Sequence, residues 1–367
     1  TIIIYGSSIQ AFVVISDLLG RLQVSASRLT LALPRVFESD DSRPNDLEAL
    51  EREIENPLAF SERRVFDYFL DRLVKAGVNV LPMHKLISYS QSEKQAVFLN
   101  LKISERLGAV GGKRKPEPDL PDPHLTIENC LIITADSYDV PQDIFNTAQE
   151  NGLVFNGRLI VQSDFTTIDD TILAAGRSCE FSQRYKNLAG GRPLRMDQLN
   201  QAELGQYIGE CLLKRLTGRP DDDAQLKIMK QPVGKYTDLA FGLKFIRLSY
   251  PFRGRIDSEL KIRKRVTDFL DRENPEYFSL GFDDNEELRS IVYLGTRRLN
   301  HQALKNLLGL NLTFFNNVDV FTSEDPSLSM VDFLNEDWAK VFCHPMFPKF
   351  VQTLKRIHDA DEEIRAD

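Results

Sequence analysis

The residues of this chain that bear most directly on chemistry lie in a turn. Gly6-Ser7-Ser8-Ile9-Gln10-Ala11 follows a run rich in β-branched residues from Thr1 to Tyr5 and opens a stretch with apolar residues at helical spacing, Ile9 to Leu19. Strand, tight turn and helix in that order put the turn where a dinucleotide fingerprint, GxGxxG, receives a pyrophosphate. Gly6 retains the first glycine. Ser8 stands at the second, where bare backbone lets the phosphates approach, and Ala11 at the third, where only close helix packing is needed. Ser8 therefore puts a side chain into the pyrophosphate's path. A second strand, Leu29 to Leu33, should end in an acid for the adenosine ribose, yet it runs into Pro34 and Arg35. Arg35 would suit a 2′-phosphate, but an arginine after a strand is more commonly a surface residue. Other chemistries lack their constellations. Ser7 and Ser8 have no GxSxG context, and no His, Asp or Glu group has metal-ligand spacing. Cys130, Cys179, Cys211 and Cys343 form no CxxC or CxxxxC pair. No redox dithiol is expected, and a reducing compartment is the default.

Two further stretches carry a resemblance. Gly152 to Arg177 reads GLVFNGRLIVQSDFTTIDDTILAAGR: a strand at Arg158 to Val161, a threonine-bearing turn, and an apolar run ending in Gly176-Arg177. Before it, a buried-type strand at Asn129 to Thr134 ends in Thr134-Ala135-Asp136-Ser137. In order and spacing, Gly6, Ala11, this tetrapeptide and the Gly152 to Gly176 segment resemble the nicotinamide half and flavin-closing segment of glutathione-reductase-like disulfide oxidoreductases. The resemblance covers most of the first 215 residues. It implies an FAD or NAD(P) site touching Gly6, Ser8, Ala11 and Gly176. It also shows what has changed. The family's apolar run ends in Gly-Asp, whose carboxylate binds the flavin, and here the aspartate is Arg177. Its ATG turn has become Thr134-Ala135-Asp136, adding bulk and charge where backbone should meet the nucleotide. His344-Pro345 invites comparison with the family's His-Pro acid or base, but Lys349 stands where a glutamate would orient the ring. His344 reads instead as a turn or packing histidine.

Length and composition bound the rest. A chain of 367 residues exceeds what one core usually supports, about 250 to 300 residues. The expected α/β architecture is a Rossmann-like doubly wound sheet of the FAD/NAD(P)-binding type over 1–150, the flavin-closing segment and a helix over 151–220, and a smaller α+β dimerisation-like domain over 221–367. The net charge of −8 argues against a nucleic-acid surface, and no apolar run approaches the roughly 18 residues of a membrane helix. The basic run Lys261, Arg263, Lys264, Arg265 reads as a solvated helix face. Starting on a strand-like run at Thr1 without a methionine, the chain reads as a piece of a longer polypeptide.

Periodicity predicts a polar insertion at Glu38 to Asn56 and an amphipathic helix over Ser61 to Lys75 that ends at Gly77. Strands follow at Val78 to Leu81 and Gln95 to Ile103, then a Gly, Lys and Pro-rich loop at Gly111 to Pro123. A long helix at Met196 to Leu216 carries the stripe Leu199, Leu204, Ile208, Cys211, Leu212 and Leu216, and Gly218 to Asp223 is a linker. Beyond it come strands at Leu239 to Leu248, Ser290 to Leu294 and Leu312 to Val320, with helices at His301 to Leu308 and Phe347 to His358. This last part is rich in aromatics (Phe241, Phe245, Tyr250, Phe252, Tyr277, Phe278, Phe282, Tyr293, Phe314, Phe315, Phe321). Some of them are expected to face a partner.

Function is weighed between two classes. A working oxidoreductase, with its flavin half upstream of Thr1, needs FAD or NAD(P). Ser8, the absent ribose acid, Asp136 and Arg177 each oppose that need, and at about 1 kcal/mol apiece they lower affinity several-hundred-fold. A non-catalytic module without cofactor, leaning away from enzyme, is the expectation. The pairing of a degenerate oxidoreductase body with a distinct last domain also resembles the ends of cilia- and flagella-associated proteins. That resemblance implies the axoneme of motile cilia. It also implies as partners radial-spoke subunits and those of the calmodulin- and spoke-associated complex, with calmodulin itself a candidate.

Overall fold

The computed structural model describes residues 1–34, 60, 62–101, 123–135, 142–182, 196, 199–218, 231–250, 262–315, 318, 328–347, 349–351 and 353. Arg35, Asp136, Lys261, Phe252, Phe321, the stretches 38–56 and 111–122 and the linker residues 219–223 lie outside them. The chain divides into two compact units, Thr1–Tyr138 with Thr237–Phe245, and Asp139–Tyr236 with Ile246–Asp367.

In the first unit, strands β1 (Ile2–Tyr5), β2 (Leu29–Leu33), β3 (Asn79–Pro82) and the later β7 (Leu131–Thr134) form a parallel sheet in the order β3-β2-β1-β7. The register pairs Ile2 with Leu29 on one side and with Leu131 on the other. β1 is therefore central, and its even and odd residues reach opposite layers. On one layer, helix α1 (Ile9–Gly20) packs Phe12 against Phe66 and Phe69 of helix α2 (Arg63–Lys75) and against Phe60, with ring centroids 5.1 to 5.8 Å apart and edge-on. Phe245 meets Phe60 edge-on at 4.9 Å, which explains why Thr237–Phe245 folds with this unit. On the other layer Ile3 and Ala32 pack against Ala96, Phe98 and Cys130. Ala96 and Phe98 belong to an antiparallel sheet, β4 (His84–Ser90), β5 (Gln95–Asn100) and β6 (His124–Ile127). Strands β4 and β6 are additions to the expected elements: β4 alternates irregularly, and β6 is only four residues long with none fully buried.

The second unit begins with helix α3 (Gln142–Glu150), the short parallel pair β8 (Leu159–Val161) and β9 (Cys179–Phe181), and helix α4 (Gln201–Leu216). α4 starts at Gln201, five residues later than Met196, because Asn200 caps it by accepting from the N–H groups of Ala202 and Glu203. Its predicted stripe is also shorter: Leu204 and Cys211 are buried, whereas Leu212 and Leu216 are exposed.

Strands β10 (Val233–Asp238), β11 (Lys244–Ser249), β12 (Arg263–Asp268), β13 (Glu276–Phe282) and β14 (Leu288–Gly295) form one sheet in the order β10-β11-β14-β13-β12. Helices α5 (His301–Leu307) and α6 (Met330–Phe333) and the 3₁₀ segment Asp337–Cys343 contribute to the core formed on it. Three expectations are corrected. The strand predicted over Leu239 to Leu248 is broken by a turn in which Phe241 and Gly242 both take positive φ, so that Leu239 N–H reaches Leu243 O. Arg263, Lys264 and Arg265 of the basic run lie not on a helix but on β12 at the sheet's edge, where charged side chains discourage pairing with another chain. Leu312 to Phe314 is a 3₁₀ turn capped by Asn311, not a strand. The described residues between 347 and 353 are helical, as expected.

Most of the aromatics are absorbed: Phe245, Tyr277, Phe278, Phe282, Tyr293 and Phe315 are buried, while Phe241 and Phe314 are exposed. Among the described residues no helix is long and apolar enough to cross a membrane, and no group of His, Cys, Asp and Glu could hold a metal ion.

Candidate functional site

The turn after β1 can be built atom by atom. Gly6 has φ of +146°, a backbone conformation L side chains rarely adopt, and its N–H bonds Ala32 O at 3.0 Å across to β2. Ala11 is fully buried, in keeping with close helix packing at the third fingerprint position. Ser8 is the residue before α1, but its hydroxyl caps no helix N–H. Instead Ser8 Oγ donates to Ala135 O at 3.1 Å, and Ala135 N–H in turn bonds Tyr5 O at 2.8 Å. The hydroxyl thus spans the carboxyl ends of β1 and β7, the rim at which sheets of this topology bind phosphates. Where the fingerprint calls for bare backbone, this chain has a hydrogen-bonded side chain.

The Gly152 to Arg177 segment forms a site of its own. Two Asp-x-Thr sequences, Asp164-Phe165-Thr166 and Asp169-Asp170-Thr171, each fold so that the aspartate accepts both the N–H and the hydroxyl of the threonine two residues on. The hydroxyl distances are 2.6 Å in both. Arg215 of α4 clamps the pair of turns, with Nη2 at 2.7 Å from Asp164 Oδ2 and Nη1 at 2.5 Å from Asp170 O. Burial pushes the Asp164 carboxyl up, but the side chain and backbone of Thr166, then Arg215, outweigh it and hold the group below the usual carboxylate range. Beneath the turns Val161, Phe165, Cys179, Phe181, Leu204 and Cys211 share one core. Burial raises the Cys179 thiol, which makes it a poor nucleophile. Gly176 has φ of +102°, so the glycine at this turn is required by backbone shape alone. Arg177 is exposed, in the turn leading into β9 and not at the start of a helix. Sequence reasoning missed Asp164 and Arg215, although the repeated Asp-x-Thr was visible.

The Asp164 pair makes a stability prediction. A carboxyl held low in the folded state contributes stability that is complete above its unfolded pKa, about 3.9, and is lost as pH falls through the folded value. Asp164→Asn should therefore cost about 1 kcal/mol at pH 7. The gap to the unaltered protein should begin to narrow below about pH 4 and close only below the lower folded value. Paired urea melts at pH 7 and pH 3.5 check this, and an equal gap at both would exclude an ionic role.

His344 lies exposed in a turn, its Nδ1 accepting the N–H of Met346 at 3.1 Å. Cys130, Cys179 and Cys211 are buried and take part in no disulfide.

A parallel sheet with this turn and this last domain defines the class: the fold is that of FAD- and NAD(P)-dependent reductases. The solved structure of an NAD-dependent persulfide reductase from A. fulgidus matches with a TM-score of 0.50 at 13% identity, covering 97% of this chain and 55% of that one. At that identity the likeness speaks for the fold alone. Residues 227–342 match the family model of the CFAP61 dimerisation domain. Over 237 residues the chain is 33% identical to cilia- and flagella-associated protein 61 of Tetrahymena thermophila, a match that takes in 62% of this chain and 14% of that protein. Together these matches bear out the likeness of this chain to the carboxy-terminal region of that protein.

Proposed function

We propose that this chain is a non-catalytic assembly module of an axonemal protein of motile cilia, using an oxidoreductase fold for protein–protein contact. Its similarity to a cilia- and flagella-associated protein supports a place in the cilium, and its match to a dimerisation domain supports protein partners. On this reading the partners are radial-spoke subunits and those of the calmodulin- and spoke-associated complex.

The observation that carries the non-catalytic part is the Ser8 hydroxyl bonded to Ala135 O. A pyrophosphate seated on this turn would have to displace that side chain and leave Ala135 O without its donor, and buried polar groups left unpaired are costly. Arg177, in place of a flavin-binding carboxylate, points the same way. The alternative is an FAD- or NAD(P)-dependent oxidoreductase whose flavin half lies elsewhere in a longer protein, and the fold alone favours it. Absorbance at 450 nm and mass spectrometry of the purified protein, with titration of NADH and NADPH followed by fluorescence, separate the two. No flavin and no saturable dinucleotide binding is the expected result. A stoichiometric flavin, or micromolar dinucleotide binding abolished by a bulky residue at Ser8, would establish the oxidoreductase.

A further inference from the structure

We infer that Thr217 is a phosphorylation site for a basophilic serine/threonine kinase, and that its phosphate draws Arg215 away from the two Asp-x-Thr turns. The chain contains one pattern twice, Lys214-Arg215-Leu216-Thr217 and Lys264-Arg265-Val266-Thr267. Two cations at the third and second positions before a threonine are what a kinase with an acidic substrate groove selects by charge. By sequence alone the two are equal.

The fold separates them. Thr267 lies within β12 opposite Phe278 of β13, is 7% exposed, and has its hydroxyl oxygen buried. A kinase could reach it only by pulling the edge strand out of the sheet. Thr217 is exposed and closes α4 at its carboxyl end. Cys211 is the last buried residue of that helix, and Leu212, Leu213 and Leu216 beyond it are exposed. The last turn can therefore unwind into a kinase cleft without disturbing the core.

In the transfer, Thr217 Oγ1 attacks the γ-phosphorus of ATP, the bond from that phosphorus to the bridging oxygen breaks, ADP leaves, and the hydroxyl proton passes to the kinase's catalytic carboxylate. The protein loses a donor by this, since Thr217 Oγ1 donates to Leu213 O at 2.9 Å and to Lys214 O at 3.2 Å. It gains a charge of about −1.5 to −2 at the negative end of a helix, where an anion is disfavoured. Both changes open the last turn. Arg215 is two residues away, and a phosphate is a stronger partner for its guanidinium than the single carboxylate of Asp164. Its bonds to Asp164 Oδ2 and Asp170 O tie α4 to residues 164–171. Moving Arg215 to the phosphate unties both.

The test is phosphorylation of the folded 367-residue chain by the catalytic subunit of cyclic-AMP-dependent protein kinase with ATP, the sites being mapped by mass spectrometry. Phosphate is expected at Thr217 and not at Thr267, whereas synthetic peptides of residues 211–218 and 261–268 should both be accepted. Thr217→Ala should remove the incorporation. Because Arg215 must leave Asp164 to enter the kinase, Asp164→Asn should raise the initial rate at Thr217 about fivefold. Continued absence of phosphate at Thr267 shows that this variant is folded. A second readout needs no variant: hydrogen exchange of the amides of residues 164–171 should quicken at least about threefold once Thr217 carries phosphate. Phosphate at both threonines of the folded chain, none at Thr217, a rate indifferent to Asp164→Asn, or exchange that phosphorylation leaves unchanged would overturn the inference.

Discussion

Asp283→Ala is expected to lower the stability of the second unit by about 3 kcal/mol. Asp283 closes the β13–β14 hairpin and is buried, yet it is fully used. Its Oδ1 accepts the N–H groups of Asn285 and Glu287 at 3.0 Å each, and its Oδ2 meets Arg289 Nε at 2.6 Å. Alanine leaves two N–H groups and a guanidinium without this partner, although Arg289 keeps Glu287 at 2.7 Å. Asp283→Asn retains an oxygen for the two backbone donors and loses only the charge, so it should cost about 1 kcal/mol. The single tryptophan reports the transition well. Trp338 lies in this unit, 4.9 Å from Phe333 and 5.8 Å from Phe342. Urea melts followed by its fluorescence should rank the unaltered protein above Asn and Asn above Ala. Equal losses for both would mean that the ion pair, not the turn, carries the effect.

The first unit has its own point of failure in Phe12. Phe12→Ala should cost about 3 to 5 kcal/mol, the range for deleting a buried ring whose surroundings cannot collapse. Phe12 is fully buried and meets Phe60, Phe66 and Phe69 edge-on. Phe66 and Phe69 belong to helix α2 and Phe60 lies just before it, and these three rings also pack on one another, so no single neighbour can move to fill the void. Hydrogen exchange of the β1 and β2 amides, read by mass spectrometry, should accelerate strongly in the variant. Unchanged protection in Ile2–Tyr5 and Leu29–Leu33 would show that the sheet does not depend on this cluster.

Both predictions rest on features of very different legibility. The βαβ start could be read directly, since Ile2–Tyr5, Ile9–Gly20 and Leu29–Leu33 alternate between an all-apolar strand and an amphipathic period over short range. The damage to the fingerprint was equally plain, because Ser8 and Arg177 are departures at positions whose chemistry needs one residue type. These are local properties, carried by neighbours in the chain.

What required the tertiary structure involves partners far apart in sequence. Ser8 and Ala135 are separated by 127 positions and Arg215 and Asp164 by 51, and neither pairing has a local signature. The basic run read as a helix face became the edge strand β12, because hydrogen bonding to β13 is a choice the run's own composition does not make. The aromatics of the last domain looked too numerous for one core, yet the all-buried strand β13 and its neighbours took most of them. Local backbone preference and residue chemistry thus determined the kind of fold and the departures from the dinucleotide fingerprint. Which side chains meet, and which apolar ones are left at the surface, was decided only when distant strands paired, since burial is a property of the assembled layers.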